Sequence, residues 1–97
     1  MPFIQIVEFR TSNFDKIQGL DNEWRQATEG TRTLRRSIVC RDTNDKTRHL
    51  VLAFFDSAES AKVNSELAAT TNFANQVNAM VDAPITFQDL EVVEDQT

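Results

Sequence analysis

The sequence predicts a single α+β domain of order β-α-β-β-α-β, with one four-stranded antiparallel sheet and both helices on one face. Three observations predict it. Apolar residues recur with period two near both ends of the chain. They recur at three- and four-residue intervals in two intervening segments. A continuous apolar run, Leu50-Val51-Leu52-Ala53-Phe54-Phe55, sits in the middle. The order does not alternate strand and helix throughout, so a doubly wound parallel sheet is excluded. Two right-handed β-α-β units sharing a central hairpin make the ferredoxin-like arrangement.

The first strand is Phe3 to Arg10, rich in aromatic and β-branched residues. Ser12 or Asn13 is placed to cap the helix that follows, with Asp15 complementing its dipole. That helix runs from Phe14 to Thr28, with an apolar stripe of Phe14, Ile17, Leu20, Trp24 and Ala27, and stops near Gly30. The second strand is Thr33 to Arg41, with Leu34, Arg36, Ile38 and Cys40 on one face. Cys40 reads there as a small buried hydrophobe. Asp42 to Lys46 is a turn. His49 to Phe55 is apolar on both faces and belongs in the centre of the sheet. Ser57 with Ser60, or Asp56 with Glu59, caps a second helical segment from Ala58 to Val81. A break is expected at Thr70-Thr71-Asn72, a poor helix interior. Ala83-Pro84 ends it, Ile85 to Val93 is the last strand, and residues 94–97 are a polar tail on a 1–93 core.

Two helices cover only one face of such a sheet, yet Ile4 and Ile6 oppose Phe3, Val7 and Phe9, and Leu90 and Val92 oppose Phe87 and Val93. A second copy packed sheet to sheet is the expected partner. The 97 residues carry a net charge of −5 and no long basic run, which argues against nucleic acid and anionic membrane as partners. A single cysteine, no long apolar stretch and no basic leader point to the cytoplasm.

Phe3-Ile4-Gln5-Ile6-Val7-Glu8-Phe9, Leu50 through Ser57, and the segments Ser60 to Ser65 and Asn72-Phe73-Ala74 resemble the dimeric α+β barrel superfamily. Within it, the likeness is to small antibiotic-biosynthesis-monooxygenase-like proteins, over nearly the whole chain. The resemblance implies a homodimer whose sheets join into a barrel. It also implies a pocket for a small apolar or aromatic molecule between sheet and helices. The implied activity is oxygenation of an aromatic or polyketide-like compound without a cofactor. A non-catalytic ligand-binding module is the alternative. Haem breakdown is disfavoured, because that branch uses an Asn on the first strand, a Trp on the third and a His on the second helix. This chain has Gln5, no Trp in its third strand and no His in its second helix. Asn72 stands where many relatives have His, and tyrosine is absent.

Candidate catalytic residues are His49 and Asn64. His49 is the sole imidazole, and the other reading of it is an idle, partly exposed residue at a sheet edge. Asn64 continues the Ala58–Ala61 stripe toward the sheet with Ser65 and Ala68. It either binds a ligand or hydrogen-bonds the backbone. Trp24, Asn72, Phe73 and Arg36 are candidate substrate-binding residues. Trp24 is otherwise core packing, and Arg36 is otherwise a surface residue or a cross-strand partner of Glu8. No metal-ligand spacing and no glycine-rich phosphate loop are present.

Overall fold

The computed structural model describes residues 2–97. Its elements are β1 (Phe3–Arg10), α1 (Phe14–Ala27), β2 (Arg36–Arg41), β3 (Arg48–Phe55), α2 (Ala58–Glu66), α3 (Ala68–Asn78) and β4 (Thr86–Glu91). The strands form one antiparallel sheet of order β2-β3-β1-β4. This is the ferredoxin-like order, with the apolar β3 and the first strand at the centre.

The period-two pattern of β1 divides the sheet into two faces. Phe3 and Phe9 point toward the helices. Phe3 packs with Ala53 and Phe55, and with Ala61 of α2. Phe9 packs with Ile17 of α1 and Val77 of α3. By register, Ile4, Ile6, Ile38, Leu50, Leu52 and Phe54 share the opposite face, with Leu90 of the edge strand. No element among the described residues covers that face. Leu90 is 43% exposed.

Several boundaries differ from the sequence expectation. The second helical segment breaks at Leu67 (φ −62°, ψ 135°), not at Thr70-Thr71-Asn72. Those three residues are helical in α3, because Leu67 caps it by accepting from the Thr70 and Thr71 amides. Trp24 also fixes Thr70 from outside, its indole Nε1 donating to Thr70 Oγ1 at 2.9 Å. Tertiary contact overrides the weak propensity of the Thr pair. Ser57 and Ser60 form the capping box of α2, while Asp56 pairs with Arg35 instead. Asn13 occupies the N-cap of α1 but its side chain makes no cap bond. Thr11 Oγ1 accepts from the Asn13 amide at 3.0 Å instead.

The second strand starts at Arg36 because the lead-in is tied to α2. Thr33 N donates to Asn64 Oδ1 at 3.1 Å, and Thr33 Oγ1 donates to Ser60 O. Leu34 therefore turns into the core beside Phe3 and does not share a face with Ile38. Cys40 is exposed, not buried, because the face it occupies is the uncovered one. Ser65 and Ala68, expected to face the sheet, are exposed.

The hairpin turn between β2 and β3 is held by its two aspartates. Asp42 Oδ1 accepts from the Asn44 amide at 2.7 Å. Asp45 Oδ1 accepts from the Thr47 amide at 3.0 Å and from the Thr47 hydroxyl at 2.6 Å, and its Oδ2 accepts from Arg10. These donors favour the carboxylate form, the Thr47 hydroxyl most and then the Thr47 amide and Arg10. They lower the Asp45 pKa from 3.8 to about 2. A depressed folded-state value means a contribution fully present above pH 3.8 and lost as pH falls toward 2. The melting temperature of Asp45→Asn, followed by circular dichroism, is therefore expected to fall less steeply than wild type through that window. Parallel acid profiles would show that the Asp45 bonds add no pH-dependent stability.

Candidate small-molecule site

His49 begins the inward-facing row of β3. It is 1% exposed, so the sheet-edge expectation of a partly exposed imidazole is corrected. Its ring is stacked between two phenylalanines. Phe9 of β1 lies 5.2 Å away at 10°, and Phe14 of α1 lies 4.6 Å away at 4°. The pattern that builds this stack is local. Phe9 and His49 are register partners across β1 and β3, and Phe14 is the first residue of α1. Burying an imidazole requires both ring nitrogens to be partnered. Nδ1 lies 2.9 Å from Thr47 O, and Nε2 lies 3.3 Å from Arg41 Nε. A carbonyl only accepts and an arginine only donates. The imidazole is therefore neutral, with its proton on Nδ1 and a lone pair on Nε2.

Arg41 closes the stack, with its guanidinium carbon 5.4 Å from the Phe14 ring centroid. Arg41 and Phe14 both line a hollow of about 580 Å³, together with Thr11, Ser12, Asn13, Asp15, Lys16, Lys46 and Thr47. His49 lies directly behind these two side chains. The hollow therefore combines a planar wall with several cations, and the buried imidazole stands behind them without lining it.

The other candidates lie elsewhere. Asn64 is buried, and its Oδ1 holds the Thr33 amide. No protein acceptor among the described residues takes its Nδ2 protons. Thr33 precedes Arg35, whose amide pairs with Phe54. Asn64 thus belongs to the far end of β3, about 20 Å from His49 by strand rise. Trp24, Asn72 and Phe73 do come together. They line a separate groove of about 100 Å³ between α1 and α3, with Leu20, Ala27 and Gln76. Trp24 and Phe73 are tilted at 6.2 Å. Arg36 sits on the uncovered face with its guanidinium carbon 5.8 Å from the Phe54 centroid. It does not meet Glu8, which is held by Arg48 through two bonds of 3.1 Å. Arg48 also donates to Asp42 at 3.0 Å. The Arg48 hydrogen bonds lower the pKa of Glu8; for Asp42 the Asn44 amide acts first and Arg48 second.

Sequence reasoning did not single out Phe14 or Arg41 as site residues. Phe14 was legible only as stripe, and Arg41 only as a strand residue opposite Cys40. Their signal lies in register: Arg41 pairs with His49 across β2 and β3, so both side chains emerge on the same face.

Solved structures superpose on nearly the whole chain. A variant of SnoaB, a cofactor-independent oxygenase from Streptomyces nogalater, matches with a TM-score of 0.82 at 6% identity, covering 97% of this chain and 95% of its own. The Mycobacterium tuberculosis protein Rv0793 matches with a TM-score of 0.80 at 12% identity, with full coverage of both chains. An antibiotic biosynthesis monooxygenase matches with a TM-score of 0.76 at 14% identity, covering 97% of this chain and all of its own. The chain shares the fold of these structures. No family model matches the sequence, and no curated relative matches it either. Among the described residues, no helix is long and apolar enough to cross a membrane.

Two substitutions separate scaffold from site. Asn64→Ala is expected to lower unfolding free energy by about 1–3 kcal/mol, because it leaves the half-buried Thr33 amide without its acceptor. Thr70→Val keeps the side-chain shape but deletes the acceptor of the Trp24 indole, and is expected to cost about 0.5–1.5 kcal/mol. Urea denaturation checks both. Wild-type midpoints would show that neither bond holds the helices to the sheet.

Proposed function

We propose that this protein is a homodimeric, cofactor-independent monooxygenase of a small aromatic or polyketide-like compound, with the ligand in the hollow beside Phe14 and Arg41. The observation that carries the proposal is the neutral, buried His49, whose lone pair is covered only by Arg41. The fold shared with SnoaB, named as a cofactor-independent oxygenase, supports the same direction.

The chemistry follows from those groups. Oxygenation without a cofactor needs a substrate with an acidified CH₂ whose carbanion is stabilised by neighbouring carbonyls or rings. Once the ligand is bound, Arg41 slides its Nε off the imidazole, and His49 Nε2 takes the proton. The carbanion then reduces O₂ directly, and the resulting hydroperoxide collapses to a carbonyl and water. The net change is CH₂ plus O₂ to C=O plus H₂O, which balances without an external reductant. Thr47 O holds the Nδ1 proton throughout and fixes the ring.

Trp24, Phe73 and Asn72 supply a second apolar seam, too small in this conformation for a full ring system. Asn64 acts on the lead-in to β2. Dimerisation uses the uncovered face, where Ile4, Ile6, Leu50, Leu52 and Phe54 form one contiguous apolar surface. Sheet-to-sheet packing is the closed way to bury it. Arg36 lies at the rim of that surface.

Two measurements test this. Light scattering after size exclusion is expected to give twice the 11.0 kDa chain mass. The double variant Ile6→Asp, Leu52→Asp is expected to run at the single-chain mass. A wild-type monomer at micromolar concentration overturns the dimer. Oxygen uptake with a CH-acidic tricyclic ketone is expected without added cofactor, and His49→Gln is expected to lower kcat by about 100-fold. Full turnover by that variant removes His49 as the base. Ligand binding without oxygen uptake would leave a non-catalytic binding module.

A further inference from the structure

We infer that the ligand of the Arg41 hollow is an organic carboxylate, held through the paired Nη groups of Arg41. The inference rests on placing the site in this hollow and not on the reaction that follows binding.

The case starts from charge. The chain carries a net −5, yet three cations line one hollow with Asp15 as its sole carboxylate: Lys16, Arg41 and Lys46. None of the three makes an ion pair among the described residues. Four of the other six arginines pair with carboxylates, while Arg32 and Arg36 rest on the Trp24 and Phe54 rings outside this hollow. Arg10 pairs with Asp45, Arg25 with Asp21, Arg35 with Asp56, and Arg48 with both Glu8 and Asp42. Arg41 alone among the arginines lines the hollow and donates to an imidazole. Its Nε donates to a neutral imidazole and its plane rests against Phe14. Its two Nη groups have no protein acceptor among the described residues. A guanidinium bound only along its inner edge presents its outer edge as a fixed fork. That geometry matches the two oxygens of a carboxylate. The entropy of ordering the side chain is already spent on the His49 and Phe14 contacts, so binding the anion does not bear it again.

The neutral state of His49 matters here. A carboxylate in that position would hold Arg41 equally well but would cancel its charge. An imidazole lone pair orients the guanidinium and leaves its positive charge available. Lys16 and Lys46 add point charges from the first turn of α1 and from the β2–β3 turn, outweighing Asp15.

The experiment uses the full chain and a matched pair of probes, 2-naphthoate and 2-naphthamide, titrated into ¹⁵N-labelled protein. The naphthoate is expected to shift the Arg41 Nε resonance and the amides of Thr11–Lys16 and Lys46–Thr47. The amide is expected to bind about tenfold more weakly or worse, since it lacks the charge-assisted pair. Arg41→Gln should weaken naphthoate binding by about tenfold or more, and Arg41→Lys should recover only part of it, because charge returns without the fork. Circular dichroism of each variant confirms that it is folded. Equal binding of the two probes, or unchanged naphthoate binding by both variants, overturns the inference. Naphthoate binding without any oxygenation of acidic substrates refutes the proposed reaction and leaves the carboxylate site intact. Oxygenation of neutral ketones with no dependence on Arg41 does the reverse.

Discussion

A four-stranded sheet has two faces, and this chain has helices for one. Everything else about the molecule follows from which residues that asymmetry shelters. Phe3, Phe9, Ala53 and Phe55 are buried against α1, α2 and α3. Ile4, Ile6, Leu52 and Phe54 alternate with them and therefore emerge on the bare side. Period two leaves no choice in the matter: a strand apolar at every position places half its hydrophobic surface on each face. Burying that second half would contribute roughly 25 cal/mol for each Å² withdrawn from water, which is the driving force behind the proposed dimer.

The same alternation sorts the charged residues into two systems. Glu8, Arg10 and Arg48 lie on the bare face, where they are neutralised by one another and by Asp42 and Asp45. That end of the sheet is polar and its two arginines meet three carboxylates, so it sets a boundary to the apolar surface and carries one net negative charge. Arg41 is on the helix side, opposite His49, and finds no carboxylate there. Its position in the pleat is what leaves it unmatched. The three-ring stack of Phe9, His49 and Phe14 then gives the guanidinium a firm backing.

Most of the architecture was legible in the sequence, because it rests on periodicity. The strands, the first helix, the central place of β3 and the uncovered face all follow from spacing alone. What was not legible depends on contacts between distant segments. The helix break moved from Thr70 to Leu67 because Trp24, 46 residues away in sequence, ties Thr70 into α3. The second strand shortened because Asn64 and Ser60 hold Thr33. In the site, His49 was visible as the sole histidine, but its burial was not. The two residues packed on its ring and at its Nε2, Phe14 and Arg41, become neighbours only once strand register and the start of α1 are known. Trp24, Asn72 and Phe73 did converge, though on a groove of their own.

The gap between fold and chemistry has a physical source that the structural matches make plain. Backbones superpose with TM-scores of 0.76 to 0.82 at identities of 6% to 14%. A fold of this kind asks each strand position only whether it is apolar and which way it points, and many residues satisfy that. A reaction asks for one lone pair, one fork of donors and one planar wall within a few ångströms. In the proposed site those groups come from three elements at one end of the sheet: His49 from β3, Arg41 from β2 and Phe14 from α1. None of the three carries the uncovered face that sets the architecture. Substitution at this end can therefore change what the protein binds or does while the sheet, its helices and its bare face stay as they are.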